Sequence, residues 1–183
     1  MLTLGKSKES VYRSYQSMTK LLFLLSFLMT GCSTRESALD SLVLEGHELH
    51  ASLHTREIDD SVRHVPLDLI PGNPGVSTNA EFVAAIARSG SQGRLGGEGM
   101  RSALFAIYRG KSDLGFYGLE AASATEADRR EEAMRDIWAH NVRLGCEQVH
   151  RQGLTIVVVW TDGVSQECWE AVNARVVERL TAR

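Results

Sequence analysis

Leu154-Thr155-Ile156-Val157-Val158-Val159-Trp160 is apolar at both its odd and its even positions. Successive side chains of a strand point to opposite faces, so such a segment must be covered above and below. A strand of this kind predicts a central position in a sheet with helices on its flanks. The next stretch agrees: Ser165 is placed to cap a helix, and Trp169, Val172, Val176, Val177 and Leu180 recur on one helical face. Upstream, the apolar runs Ala103 to Tyr108 and Leu114 to Leu119 surround Arg109-Gly110-Lys111-Ser112-Asp113, which is turn chemistry, and read as a hairpin. A long helix follows, capped by Ser123 or Thr125 and running to about Val149, with Met134, Ile137 and Trp138 on its apolar side. The order hairpin, helix, strand, helix predicts a right-handed crossover that lays 154–160 parallel to an earlier strand. The expected fold class is therefore α/β, a single small domain of two or three layers with about four strands, a central parallel strand and flanking helices.

The N-terminal half is less regular. Leu42, Gly46, Leu49 and Leu53 fit one face of a helix, at the cost of an interior glycine. Val65, Leu67 and Leu69 alternate as a strand from about His64 to Ile70, which Pro66 places at an edge or at the strand's start. Pro71-Gly72-Asn73-Pro74-Gly75 forces a turn, and a helix is expected from about Asn79 to Ser89, with Thr78 and Glu81 as a capping box. Residues 90–99 hold five glycines and predict a flexible loop; they lack the Gly-Lys-Ser/Thr ending of a phosphate-binding loop.

Lys20 precedes an apolar run, Leu21 to Met29, that is far short of the roughly 20 residues of a membrane-spanning helix but fits the core of a signal peptide. The ending Thr30-Gly31-Cys32-Ser33 resembles the lipobox of bacterial lipoproteins. That resemblance implies cleavage after residue 31, acylation of Cys32 with palmitate-type chains, and a tether at 32–35 ahead of one domain at 36–183. More than one acyl chain makes such an anchor stable. Ser33 is not the aspartate that resembles an inner-membrane retention signal, so the resemblance implies the outer membrane, periplasmic face. Met18, just before Lys20, is an alternative start to the chain.

Four of the 20 Lys+Arg and one of the 23 Asp+Glu precede Cys32, which leaves a net charge of −6 for the rest. An acidic domain with no polybasic run excludes nucleic acid as the expected partner, and it leaves the lipid as the membrane contact. Cys146 and Cys168 are expected near the ends of two helices separated by a strand roughly 20 Å long, too far apart to pair.

Leu67-Asp68-Leu69-Ile70-Pro71-Gly72-Asn73-Pro74-Gly75 resembles the strand and oxyanion loop of α/β-hydrolases, and Arg109-Gly110-Lys111-Ser112-Asp113 is similar to a turn of the same family. Val159-Trp160-Thr161-Asp162-Gly163 stands where that fold places its nucleophile elbow, Gly-x-Ser-x-Gly. Thr161 replaces the serine and Val159 the first glycine, and no histidine follows Thr161 to serve as base. Thr161 and Asp162 are the only catalytic candidates, and Asp162, beyond the end of a central strand, is the candidate ligand contact. In a helix at 40–56, His47, His50 and His54 would form a narrow stripe able to hold zinc or copper. Two functions are expected from these residues. The favoured one is a membrane-anchored envelope lipoprotein with a non-catalytic domain, without cofactor, that binds a partner protein or a small ligand. The alternative is a small extracytoplasmic hydrolase or metal-dependent enzyme.

Overall fold

The computed structural model describes residues 37–60, 62, 65–140 and 148–182. The lipobox, Cys32 and Cys146 lie outside them. Ser37–Arg183 forms one compact unit. Its sheet is built from β1 (His54–Thr55), β2 (Gly75–Ser77), β3 (Met100–Arg109), β4 (Asp113–Ala121), β5 (Gln148–Gln152) and β6 (Thr155–Thr161). Among the described residues three α-helices pack on it: α1 (Ala80–Gly90), α2 (Ala124–Ala139) and α3 (Gln166–Thr181).

The six strands run β1-β3-β4-β6-β5, with β2 pairing the same edge of β3 as β1, and every pairing is antiparallel. The expected four-stranded α/β sheet with a central parallel strand is thereby corrected. The difference originates in β5, whose polar residues resemble the end of the preceding helix. The crossover through α2 does join two strands of like direction, β4 and β5, but β6 folds back between them and is antiparallel to both. The fold-back is a two-residue turn, Gly153-Leu154, in which Gly153 takes a φ of 58° that favours glycine. Being apolar on both faces dictates cover on both sides of a strand; it does not dictate the direction of its neighbours.

That cover is present. Phe105, Ile107, Tyr117, Leu119, Ile156, Val158 and Trp160 form one face with Phe82, Val83 and Ile86 of α1 and Met134 of α2. Leu104, Ala106, Tyr108, Leu114, Phe116, Val157 and Val159 form the other with Trp169, Val172, Val176 and Leu180 of α3 and with Leu39, Leu42 and Leu44. At roughly 1.5–3 kcal/mol for each large apolar side chain, the two cores dominate the stability of the unit. On the first face Phe105, Tyr117 and Trp160 stack across three adjacent strands, with ring centroids 6.2 and 5.7 Å apart.

Several local expectations hold and others do not. Asn79 caps α1 by accepting from the backbone N–H of Glu81 and Phe82, a residue after the expected Thr78. Ser123 caps α2 and Ser165 caps α3. The helix expected around 40–56 is instead two 3-10 turns, Asp40–Leu42 and Gly46–Glu48, followed by β1, and Gly46 at φ 50° interrupts any helix there. The strand expected before Pro71 is a 3-10 turn at Leu67–Leu69. The glycine-rich segment, expected to be flexible, is pinned at four points. Ser91 Oγ accepts from Leu95 N at 2.9 Å, Ala122 N donates to Gly99 O at 2.8 Å, Arg130 donates to Glu98 O at 3.0 Å and Trp138 to Gly90 O at 2.9 Å. Cys168 is a buried free thiol against Ser52 Oγ at 3.7 Å. Among the described residues no helix is long and apolar enough to cross a membrane.

Candidate functional site at the closed end of the sheet

The β3–β4 turn and the end of β6 meet at one end of the sheet. Gly110-Lys111-Ser112 closes the hairpin, with Gly110 N donating to Ser112 O at 3.0 Å, so that Arg109 and Asp113 stand opposite each other. Asp113 is the hub of this end. Its carboxylate accepts from Arg109 at 2.9 and 3.3 Å and from Arg56, a side chain only 4% exposed. Arg56 also reaches Asp59 at 3.6 Å. A guanidinium so far from water requires a hydrogen-bonded counter-charge, and Asp113 supplies it. The same carboxylate raises the Arg109 pKa, chiefly by hydrogen bonding.

The main-chain carbonyl of Asp113 holds the other candidate residues. It accepts from Asp162 N at 2.9 Å and from the Thr161 hydroxyl at 3.2 Å. Thr161 Oγ1 in turn accepts from the N–H groups of Gly163 and Val164, both at 3.1 Å. Thr161 therefore ties β6 to the turn that leads into α3, with its proton on a carbonyl and its oxygen facing two N–H donors. A hydroxyl becomes a nucleophile when a base faces its proton; here a backbone carbonyl does. The parallel strand that the hydrolase resemblance implies ahead of its elbow is replaced by β6, antiparallel to β4 and β5.

Asp162 is exposed, and its backbone is fixed by Asp113. Tyr117 has its phenol pKa raised, first by burial and second by the charge of Asp162. The Pro71–Gly75 segment is linked to this end through Asn73, whose side-chain Nδ2 donates to Arg56 O and Ile107 O, both at 2.7 Å. Asn73, Arg56, Asp113 and Asp162 thus form a continuous chain of contacts. Pro74 faces a cleft of about 460 Å³ with Asp40, Glu45, Glu48, Val76 and Arg179.

The histidines are dispersed. His47 lies in a 3-10 turn, His50 Nδ1 pairs with Ser52 Oγ at 2.7 Å, and His54 sits in β1 opposite Arg109. The stripe required a helix that does not form, and among the described residues no three histidine, cysteine or acidic side chains are grouped to hold a metal ion. Two residues of this end, Arg56 and Asp113, do not stand out as site residues in the sequence. Asp113 carries a signal in the turn it closes; Arg56, a lone arginine in a polar stretch, carries none.

Comparison with known proteins adds no relative: no family model, no curated protein and no solved structure matches this chain. The closed end is then defined by its chemistry alone. Two guanidiniums are engaged by an internal carboxylate, and Asp162 and Lys111 are exposed at the same end. Such an arrangement can fix an exposed charge in place. At Thr161 the hydroxyl proton faces a backbone carbonyl and not a base.

Proposed function

We propose that this chain is a membrane-anchored envelope lipoprotein, lipidated at Cys32 and held at the periplasmic face of the outer membrane, whose domain binds a partner protein or a small ligand without catalysis. The anchor rests on the order Lys20, apolar run, Thr30-Gly31-Cys32. The non-catalytic reading rests on one observation above all: the Thr161 hydroxyl donates to the Asp113 carbonyl and accepts from two backbone N–H groups. Asp162, rigidly based and exposed, is the position proposed to contact the ligand.

Ester turnover by the purified protein, compared with Thr161→Ala, tests the absence of catalysis. Turnover that is absent, or equal in the two proteins, is expected. Turnover that is lost in Thr161→Ala while circular dichroism shows the fold intact would establish a hydrolase.

A further inference from the structure

Ser37, five residues after Cys32, is firmly held. Its N–H donates to Asp40 Oδ2 at 2.8 Å, and its hydroxyl lies 3.2 Å from both Ser102 Oγ and Glu120 Oε2. Ser102 and Glu120 are paired near the open end of the β3–β4 hairpin, whose last pair is Met100 with Ala121. The Gly153-Leu154 turn closes the same end, since Ala121 N donates to Leu154 O at 2.8 Å. Arg109, Lys111, Asp113 and Asp162 lie at the other end of β3, and ten strand residues span about 30 Å.

From these positions we infer that the open end of the hairpin is the membrane-facing surface of the domain, and that the Asp113–Asp162 end is presented away from the lipid. The inference rests on the proposed anchor at Cys32. Five residues reach at most about 17 Å, so Ser37 stays within that distance of the acylated cysteine. The domain pivots on a point close to a surface it cannot enter. Averaged over every tilt the surface permits, the end next to the pivot lies nearer the lipid and the end a strand's length away lies farther. No electrostatic contact is required, consistent with the acidic domain. The partner of the open end is the lipid headgroup layer, and a ligand of Asp162 approaches from the opposite side.

The test uses the full chain, lipidated in cells and reconstituted into phosphatidylcholine vesicles that carry an acceptor dye on a fraction of the headgroups. In a Cys146→Ser background, a donor dye is placed on Gln152→Cys at the open end or on Lys111→Cys at the closed end; both native side chains are exposed and Cys168 is buried. Energy transfer is expected to be strong from position 152 and to fall at position 111. Equal transfer, or stronger transfer from 111, in protein that floats with the vesicles would overturn the orientation while leaving the anchor intact. Protein that does not float would refute the anchor and the orientation with it.

Discussion

The side-chain amide of Asn73 takes the place of a peptide group against Ile107. Ile107 N donates to Asn73 Oδ1 at 2.9 Å, and Asn73 Nδ2 donates back to Ile107 O at 2.7 Å. β1 and β2 both pair the same edge of β3, at Tyr108–Arg109 and at Ala103–Phe105. The amide covers the gap between them. It also binds Arg56 O, and so holds the segment that carries Arg56 towards Asp113. Asn73→Ala leaves Ile107 N and Arg56 O without this partner, Ile107 O keeping its bond from Arg56 N at 3.2 Å, and at about 1 kcal/mol or more for each buried group left unmade a loss of about 2 kcal/mol is expected in urea unfolding. Asn73→Asp, which keeps the acceptor but cannot donate, is expected to lose nearly as much. A loss under about 0.5 kcal/mol in both variants would show that water replaces the amide freely.

Two glycines of β4 allow close packing, and their substitution should differ in severity. A Cβ at Gly115 would stand 2.6 Å from both Ala106 O and the Trp160 ring, whereas one at Gly118 would meet Leu39 Cδ2 at 2.9 Å and Leu104 Cβ at 3.0 Å. A neighbouring backbone carbonyl cannot turn aside, but the tip of a leucine can. Overpacking typically costs about 1–3 kcal/mol. Gly115→Ala is expected at or above the top of that range and should change the near-ultraviolet circular dichroism of Trp160, while Gly118→Ala falls near the bottom. The reverse order, measured by urea denaturation, would contradict the packing described.

Acid stability offers a third check, through Glu48 and Arg179. The hydrogen bond from Arg179 holds the Glu48 carboxyl below its ordinary value of 4.5, against an opposing effect of burial. A carboxylate more acidic in the folded than in the unfolded chain contributes stability that is complete above the unfolded pKa and is lost as pH falls through the folded one. Wild type should therefore be more stable than Arg179→Ala at about pH 6, and the gap should narrow as pH falls below about 4. A gap that is constant with pH would mean that Arg179 acts through its bond to Ser41 O at 3.0 Å rather than through Glu48.

α1, the β3–β4 hairpin, β6 and α3 are readable in the sequence because each combines a periodic apolar face with a local stop signal. For α1 the signal read is the pair Thr78 and Glu81, with Thr78 one residue before the Asn79 that caps the helix, for α3 it is Ser165, and for the hairpin it is Gly110 in the turn. β5 is hidden for a physical reason. It is an edge strand, Gln148-Val149-His150-Arg151-Gln152, in which Val149 alone is buried, and its polar side chains serve Asn173, Asp128 and Glu131 instead of a core. Without it, the direction expected for β6 is reversed. Leu42, Leu49 and Leu53 match a helical spacing, yet they reach the core from 3-10 turns and loops, and the histidine stripe vanishes with that helix. At the site, Thr161 ends β6 and Asp162 follows it, so their position at the end of a strand is legible in the sequence. The role of Thr161 is not legible there, because it depends on where the Asp113 carbonyl points.

The proposed anchor at Cys32 underlies both the proposed function and the inferred orientation of the domain, and metabolic labelling with palmitate tests it most directly. Wild-type protein extracted from membranes should carry the label and lack residues 1–31, whereas Cys32→Ala should remain an unlabelled precursor. Label that persists in Cys32→Ala, or unlabelled wild-type protein that retains its first 31 residues, would contradict the account.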